Sequence, residues 1–230
     1  MSGRLLTFLC CLCAWLIPGA AWAHGVAGGD ALYLETVSGV AVAPFMYLGA
    51  KHMITGYDHL LFIFGVIFFL YRLKDVALYA TLFTIGHSLT LLVGVLGGIQ
   101  ANAYLVDAII GFSVVYKGFD NLGGFKRVLG YQPDTRIAVL VFGLFHGFGL
   151  ATKIQDFELS PDGLATNIIS FNVGVELGQI VALTFFVLLL SFWRQKPSFM
   201  HRAFLANGVL MCAGWLLVFY QLTGFFTPAI

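Results

Sequence analysis

Six stretches of this chain, near 52–72, 76–98, 102–122, 136–153, 165–193 and 203–224, are apolar for long enough to cross a bilayer at about 1.5 Å per residue. Hydrocarbon tolerates only a backbone that satisfies its own hydrogen bonds, so such stretches dictate helices or a closed barrel, and runs of this length dictate helices. With hydrophobic residues at 60% and charged residues at 10%, the chain also lacks the polar surface that a soluble globule would need. The reading is an all-α polytopic membrane protein with six transmembrane helices. No Pro/Gly/Ser linker, low-complexity tract or internal repeat divides residues 52–230, which read as one six-helix domain. The net charge of +1 is spread over short connections without a basic patch or arm, which argues against nucleic acid as a partner. Lipid is the partner that composition demands.

The beginning, MSGRLLTFLCCLCAWLIPGAAWAHG, has Arg4, an apolar core from Leu5 to Ile17, a helix-breaking Pro18 and the small-residue pattern Ala21-Trp22-Ala23. That core is too short to span comfortably. Residues 1–23 therefore read as a cleaved signal peptide, and residues 24–51 as a short exported segment beginning at His24. Cys10, Cys11 and Cys13 leave with the peptide, and Cys212 remains alone. An intramolecular disulfide framework and a thiolate metal cluster are both excluded, so a metal site has to use nitrogen and oxygen ligands. Orientation follows from the connections. Arg72 and Lys74 follow the first span, Lys126, Arg127 and Arg136 the third, and Arg194, Lys196 and Arg202 the fifth. The connection after the second span has no Lys or Arg, and that after the fourth carries Asp156, Glu158 and Asp162. Both mature termini are thereby expected on the periplasmic side of a bacterial inner membrane.

Ionisable side chains in hydrocarbon cost about 2.5–3.5 kcal/mol on insertion scales and mark cavities or partners. In HMITGYDHLLF, residues 52 to 62, His52 and His59 stand seven apart, about 10 Å along a straight helix. Either the chain bends at Gly56 and folds His52 toward Asp58 and His59, or the two histidines are successive stops. In FTIGHSLTLLVG, Thr84, His87 and Ser88 make a narrow polar stripe, and in FGLFHGFGLA, His146 is flanked by Gly143, Gly147 and Gly149. In FNVGVELGQ, helical spacing puts Asn172, Glu176 and Gln179 on one face, with Gly174 and Gly178 roughly opposite. A local ion pair accounts for Lys117 and Asp120, and Lys153 marks the outer end of the fourth span. Asp107 either joins a polar cavity or sits at the interface. Each histidine taken singly is equally readable as a neutral interhelical hydrogen-bonding group; it is their number at comparable depth that favours a site. Imidazoles with carboxylates suit nickel, cobalt, zinc or copper, whereas magnesium or calcium would want oxygen almost exclusively. Ligands distributed along several spans suggest a funnel open to the periplasm and a relay of weak sites, with HMITGYDHLLF as its entrance.

The order HMITGYDHLLF, GHSLTL, FHGFGLA and FNVGVELGQ on an exported six-span scaffold resembles the HupE/UreJ family of hydrogenase- and urease-associated nickel permeases, particularly its second branch. The resemblance covers nearly the whole mature chain. It implies that His52, Asp58 and His59 are needed for metal uptake and that His146 belongs to a second signature. The better-studied branch continues its FHG motif into a further histidine and glutamate, which FHGFGLATK lacks, leaving Glu176 as the candidate substitute. It also implies that His24, near the mature amino terminus, captures metal.

The expected function is uptake of a divalent transition metal, nickel first and cobalt next, from periplasm to cytoplasm. The candidate ligands are His52, Asp58, His59, His87, His146 and Glu176, with His24, Asp107, Asn172 and Gln179 as further candidates. The metal is cargo, no permanently bound cofactor is expected, and nothing in the motifs points to an enzyme. Alternatives are a non-transporting accessory subunit of a metalloenzyme complex, and a haem carrier with His87 and His146 as axial ligands. The haem reading leaves the Asp-His motif idle. A homo-oligomer is compatible with all three.

Overall fold

The computed structural model describes residues 37–156 and 160–227. Residues 1–23, expected as a signal peptide, and His24 lie outside the described residues. Among the described residues, eight helices follow in order: α1 Val42–Thr55, α2 Tyr57–Ile67, α3 Leu73–Leu96, α4 Ala103–Asn121, the short α5 Gly124–Leu129, α6 Thr135–Ile154, α7 Leu164–Arg194 and α8 Phe199–Phe226. Among the described residues, α3, α6, α7 and α8 are long and apolar enough to cross a membrane. α4 carries more charge, but its charges are neutralised in place. Lys117 Nζ donates to Asp120 at 2.5 Å, as its i, i+3 spacing suggests, and Asp107 receives Lys153 of α6 at 2.6 Å. Asp107 is buried. It is thus neither at an interface nor free in a cavity, and Lys153 is an interhelical partner rather than only an end marker.

The first span differs from the expected 52–72. Helix begins at Val42, ten residues earlier, with Pro44 in its first turn, where a missing N–H costs nothing. It then breaks at Gly56 and resumes as α2, an eleven-residue helix. Neither piece alone covers a hydrocarbon core of about 30 Å. Together they run the length of α7. At one end, Asn167 accepts from the Ala41 amide at 2.7 Å and donates to the Gly39 carbonyl at 2.9 Å. At the other, Arg194 donates to the Ile67 and Phe68 carbonyls, both at 2.6 Å.

Three helix pairs make the bundle, α1 with α7, α3 with α6 and α4 with α8. Small residues let their backbones approach. A side chain on Gly174 would run into the Met46 carbonyl, and one on Gly178 would reach Ala50 and Met53, so residue numbers rise together and α1 is parallel to α7. A Cβ on Gly143 would stand 2.5 Å from the Phe83 carbonyl, and one on Gly147 would strike that of His87. α3 and α6 are therefore parallel as well, and Thr90 reinforces them by donating to the Leu144 carbonyl at 2.7 Å. In the third pair Gly111 meets Leu217 and Gly118 meets Met211, an antiparallel register. α2 lies among the pairs, against α4, α7 and α8.

Gly174→Val is expected to lose the close α1/α7 contact. Overpacking of this kind costs about 1–3 kcal/mol. Thermal unfolding of the purified protein in detergent should show a lowered midpoint, whereas the same substitution at Gly208, which faces open space, should not.

Candidate metal centre

The site begins with the break. Gly56 has φ −73° and ψ 103°, an extended conformation between two helices; its N–H still donates to the His52 carbonyl at 2.9 Å, and its carbonyl starts α2 by accepting from Leu60 at 3.0 Å. Those torsions are open to any residue. Glycine is needed for space, because a Cβ would lie 2.9 Å from His59 Nδ1 and 3.2 Å from Asp58 Oδ1. On a straight helix the His52 and His59 rings would be about 10 Å apart along the axis; here their centroids are 5.0 Å apart. Of the two readings that the spacing left open, the bend is the one found.

Asp58 and His59 open α2 and are buried, at 0% and 1% exposure. His59 Nδ1 lies 3.2 Å from Asp58 Oδ1. A proton on Nδ1 donates to the carboxylate and leaves the lone pair on Nε2. His146 enters from α6, where its Nδ1 is 2.7 Å from the Phe142 carbonyl one turn earlier. A carbonyl only accepts, so Nδ1 carries the hydrogen and Nε2, 4.0 Å from Asp58 Oδ2, presents its lone pair. One ligand atom each from Asp58, His59 and His146 lie within 4.8 Å of one another. Two ligands about 2.1 Å from one ion can be no more than about 4.2 Å apart. At the tetrahedral angle the separation is about 3.4 Å, so an inward movement of about 0.6–1.4 Å would close the set on a cation.

Two further histidines flank the three. His52 is half-buried on α1, with His59 on one side and Phe171 at 5.9 Å between centroids on the other. His87 is fully buried on α3, its ring centroid 5.9 Å from that of His59, and neither of its nitrogens has a hydrogen-bond partner among the described residues. An orphaned buried imidazole is costly and asks for a water or an ion. The five residues therefore form one cluster at one level, a correction to the relay spread over several depths. Nor is the cluster at a mouth. Met53 packs at Gly178, the midpoint of α7, and Gly56 divides residues 42–67 near their centre.

The other candidates stand apart. Glu176 is exposed on α7, although Asn172 and Gln179 are buried. At about 100° per residue, Glu176 lies roughly 40° beyond Asn172, past the edge of the buried arc, so the shared polar face is split by the boundary of packing. Gln179 is engaged elsewhere, accepting from Thr84 at 2.8 Å and donating to the Ala80 carbonyl at 3.3 Å. Asn172 has both side-chain polar atoms buried without a hydrogen-bond partner. Asp107 is held by Lys153. What the motif reading missed is the aromatic wall. Phe62 and Phe83 pack against the imidazoles and Phe142 packs on Phe62, and each stands four residues from a ligand candidate, Asp58, His87 and His146 respectively. That i, i+4 spacing was the available signal.

These features define a helical membrane protein with a buried candidate metal site of imidazoles around one carboxylate. A family model described as HupE / UreJ protein matches residues 29–229, and the chain belongs to that family, whose members are transporters or accessory proteins associated with nickel and cobalt. No significant match was found among curated proteins or among solved structures.

Gly56→Ala should crowd His59 and Asp58 without disturbing the helix pairs. Nickel binding by the purified protein, followed by calorimetry, is expected to weaken at least about tenfold, equivalent to 1.4 kcal/mol, with unchanged helix content.

Proposed function

We propose that this protein is an inner-membrane permease that carries a divalent transition metal, nickel first and cobalt next, from the periplasm to the cytoplasm. The observation that carries the reading is the buried convergence of Asp58, His59 and His146, with His52 and His87 beside them. Such a nitrogen-rich set with one carboxylate suits a borderline first-row cation and poorly suits magnesium or calcium. The family's association with nickel and cobalt transport supports the same cargo.

The chain would cross the membrane six times, counting α1 with α2 as one interrupted span and α4 as the third. The helix pairing supports this count. Alternating spans require the first to run parallel to the fifth, the second parallel to the fourth, and the third antiparallel to the sixth. The glycine contacts of the three pairs have those directions. With Arg72, Lys74, Arg194 and Lys196 at the inner end, both termini lie outside, and residues 1–23 serve as an export signal. A discontinuous helix holding the substrate near mid-membrane is a recurrent transporter device. The inward-negative potential, worth about 2.3 kcal/mol per charge per 100 mV, supplies a driving force for a divalent cation.

Reconstitution of the purified protein into liposomes containing a nickel-sensitive dye tests the reading directly. Asp58→Asn and His59→Ala should each lower nickel entry by at least about tenfold at equal protein density, the scale on which even outer-sphere changes affect metal sites. Glu176→Gln should leave nickel binding intact. Liposomes that pass no nickel with the unsubstituted protein would favour the accessory-subunit reading instead.

A further inference from the structure

One side of the metal cluster is closed by phenylalanine rings from three helices. Phe62 follows Asp58 by one turn of α2, Phe83 precedes His87 by one turn of α3, and Phe142 precedes His146 by one turn of α6. Because α2 runs opposite to α3 and α6, all three steps lead in the same direction, toward the end of the bundle that carries Arg72 and Arg194. The rings interlock. Phe62 is 5.5 Å from Phe83 and 5.8 Å from Phe142 between centroids, and all three are buried. Two of the rings meet the imidazoles, Phe62 to His146 at 5.5 Å, Phe83 to His146 at 5.0 Å and Phe83 to His59 at 6.2 Å, while Phe142 backs Phe62.

Beyond this layer the packing leaves a small gap with room for about one water molecule. Phe62 and Phe83 line its near end, Ile63, Val66, Val139 and Leu183 its walls, and Gln179 and Tyr79 are its polar groups. No charged residue lines it. A cation leaving the imidazoles in this direction thus meets first an aromatic barrier and then, in Gln179 and Tyr79, the first polar groups beyond it. Hydrophobic constrictions of this kind block ions by excluding water and pass them once wetted.

We propose that Phe62, with Phe83 and Phe142, is the inner gate of the permease, and that the small chamber bearing Gln179 and Tyr79 is the first polar step of the exit path. This rests on the uptake reading above. The rings touch no ligand atom's route of approach from the outer side, so their size sets passage and not capture. Two substitutions at Phe62 should then act in opposite directions. Phe62→Trp keeps the layer closed, and Phe62→Ala leaves it open.

The test uses the full chain in dye-loaded liposomes with nickel as the probe, beside nickel binding to the purified protein. Both variants should bind nickel within about threefold of the unsubstituted chain; Phe62→Trp should lose at least about tenfold in nickel entry, and Phe62→Ala should admit potassium, which the unsubstituted chain excludes. Defective packing alone would lower entry in both variants and would not open a potassium leak. Nickel entry unchanged in both, with no leak, overturns the gate. A second measurement does not depend on transport. In a chain freed of its other cysteines, Ala80→Cys in the chamber should react with a charged thiol reagent added from the inner side and not from the outer, and adding Phe62→Ala, or Phe62→Leu if the alanine variant does not accumulate, should expose it to both. Labelling from the outer side with Phe62 in place, or no difference between the two chains, overturns the barrier. If the unsubstituted protein carries no nickel while the labelling pattern holds, the uptake reading fails and the barrier stands.

Discussion

A helix interrupted in hydrocarbon leaves donors and acceptors that water cannot reach, and the rest of this fold depends on how they are satisfied. The break at Gly56 is short because its N–H and carbonyl both remain in use, toward His52 and Leu60. The far end of α2 is harder to accommodate. Only a single turn follows it, with Leu70 donating to Ile67 at 3.0 Å, and Arg194 turns back from the end of α7 to donate to the Ile67 and Phe68 carbonyls, while Asn121 from α4 donates to Gly65 at 2.8 Å and to Asn207 of α8 at 2.8 Å. Leaving such groups unpaired would cost several kcal/mol each in lipid. Two side chains from distant helices therefore hold the short helix in register, and the register of α2 sets where Asp58 and His59 stand.

The cluster gains its rigidity from the same economy of space. His146 is aimed by the Phe142 carbonyl on its own helix, and that helix is held against α3 by glycines that let Gly147 pass over the His87 carbonyl. The ligand-bearing helices α3 and α6 thus move as one body, while α1 follows α7. The imidazoles of the two bodies meet across α2. Small differences in how the pairs sit relative to each other would translate directly into ligand separation, which suits a site that has to release its ion as well as hold it.

Much of this was legible in the sequence, and the failures have identifiable causes. The helices expected at 76–98, 102–122, 136–153, 165–193 and 203–224 correspond to α3, α4, α6, α7 and α8 within a few residues, because an uninterrupted apolar run has one solution in a bilayer. The first helix was misplaced because the polar residues of HMITGYDH look like a boundary. They lie in its interior, tolerated by the glycine break and by partners on three other helices, α3, α6 and α7. His52, Asp58, His59, His87 and His146 were recognisable as costly residues in apolar surroundings. That they share one level was not, since depth along each helix says nothing about which helices run parallel. Glu176 was misjudged for a related reason: helical periodicity gives the angles between side chains but not the arc that neighbours cover.

The pairing of α1 with α7 has a consequence for how the protein is made. Arg194 lies 127 residues after the carbonyl of Ile67 that it caps. At synthesis rates of about 5–20 residues per second, the interrupted first helix waits roughly 6–25 s in the membrane before its partner exists. Throughout that interval the Phe68 carbonyl lacks the Arg194 donor, and the chain is open to quality-control proteases. A capping residue far from the site therefore sets when the first helix is held, and α7 has to be made before that can happen.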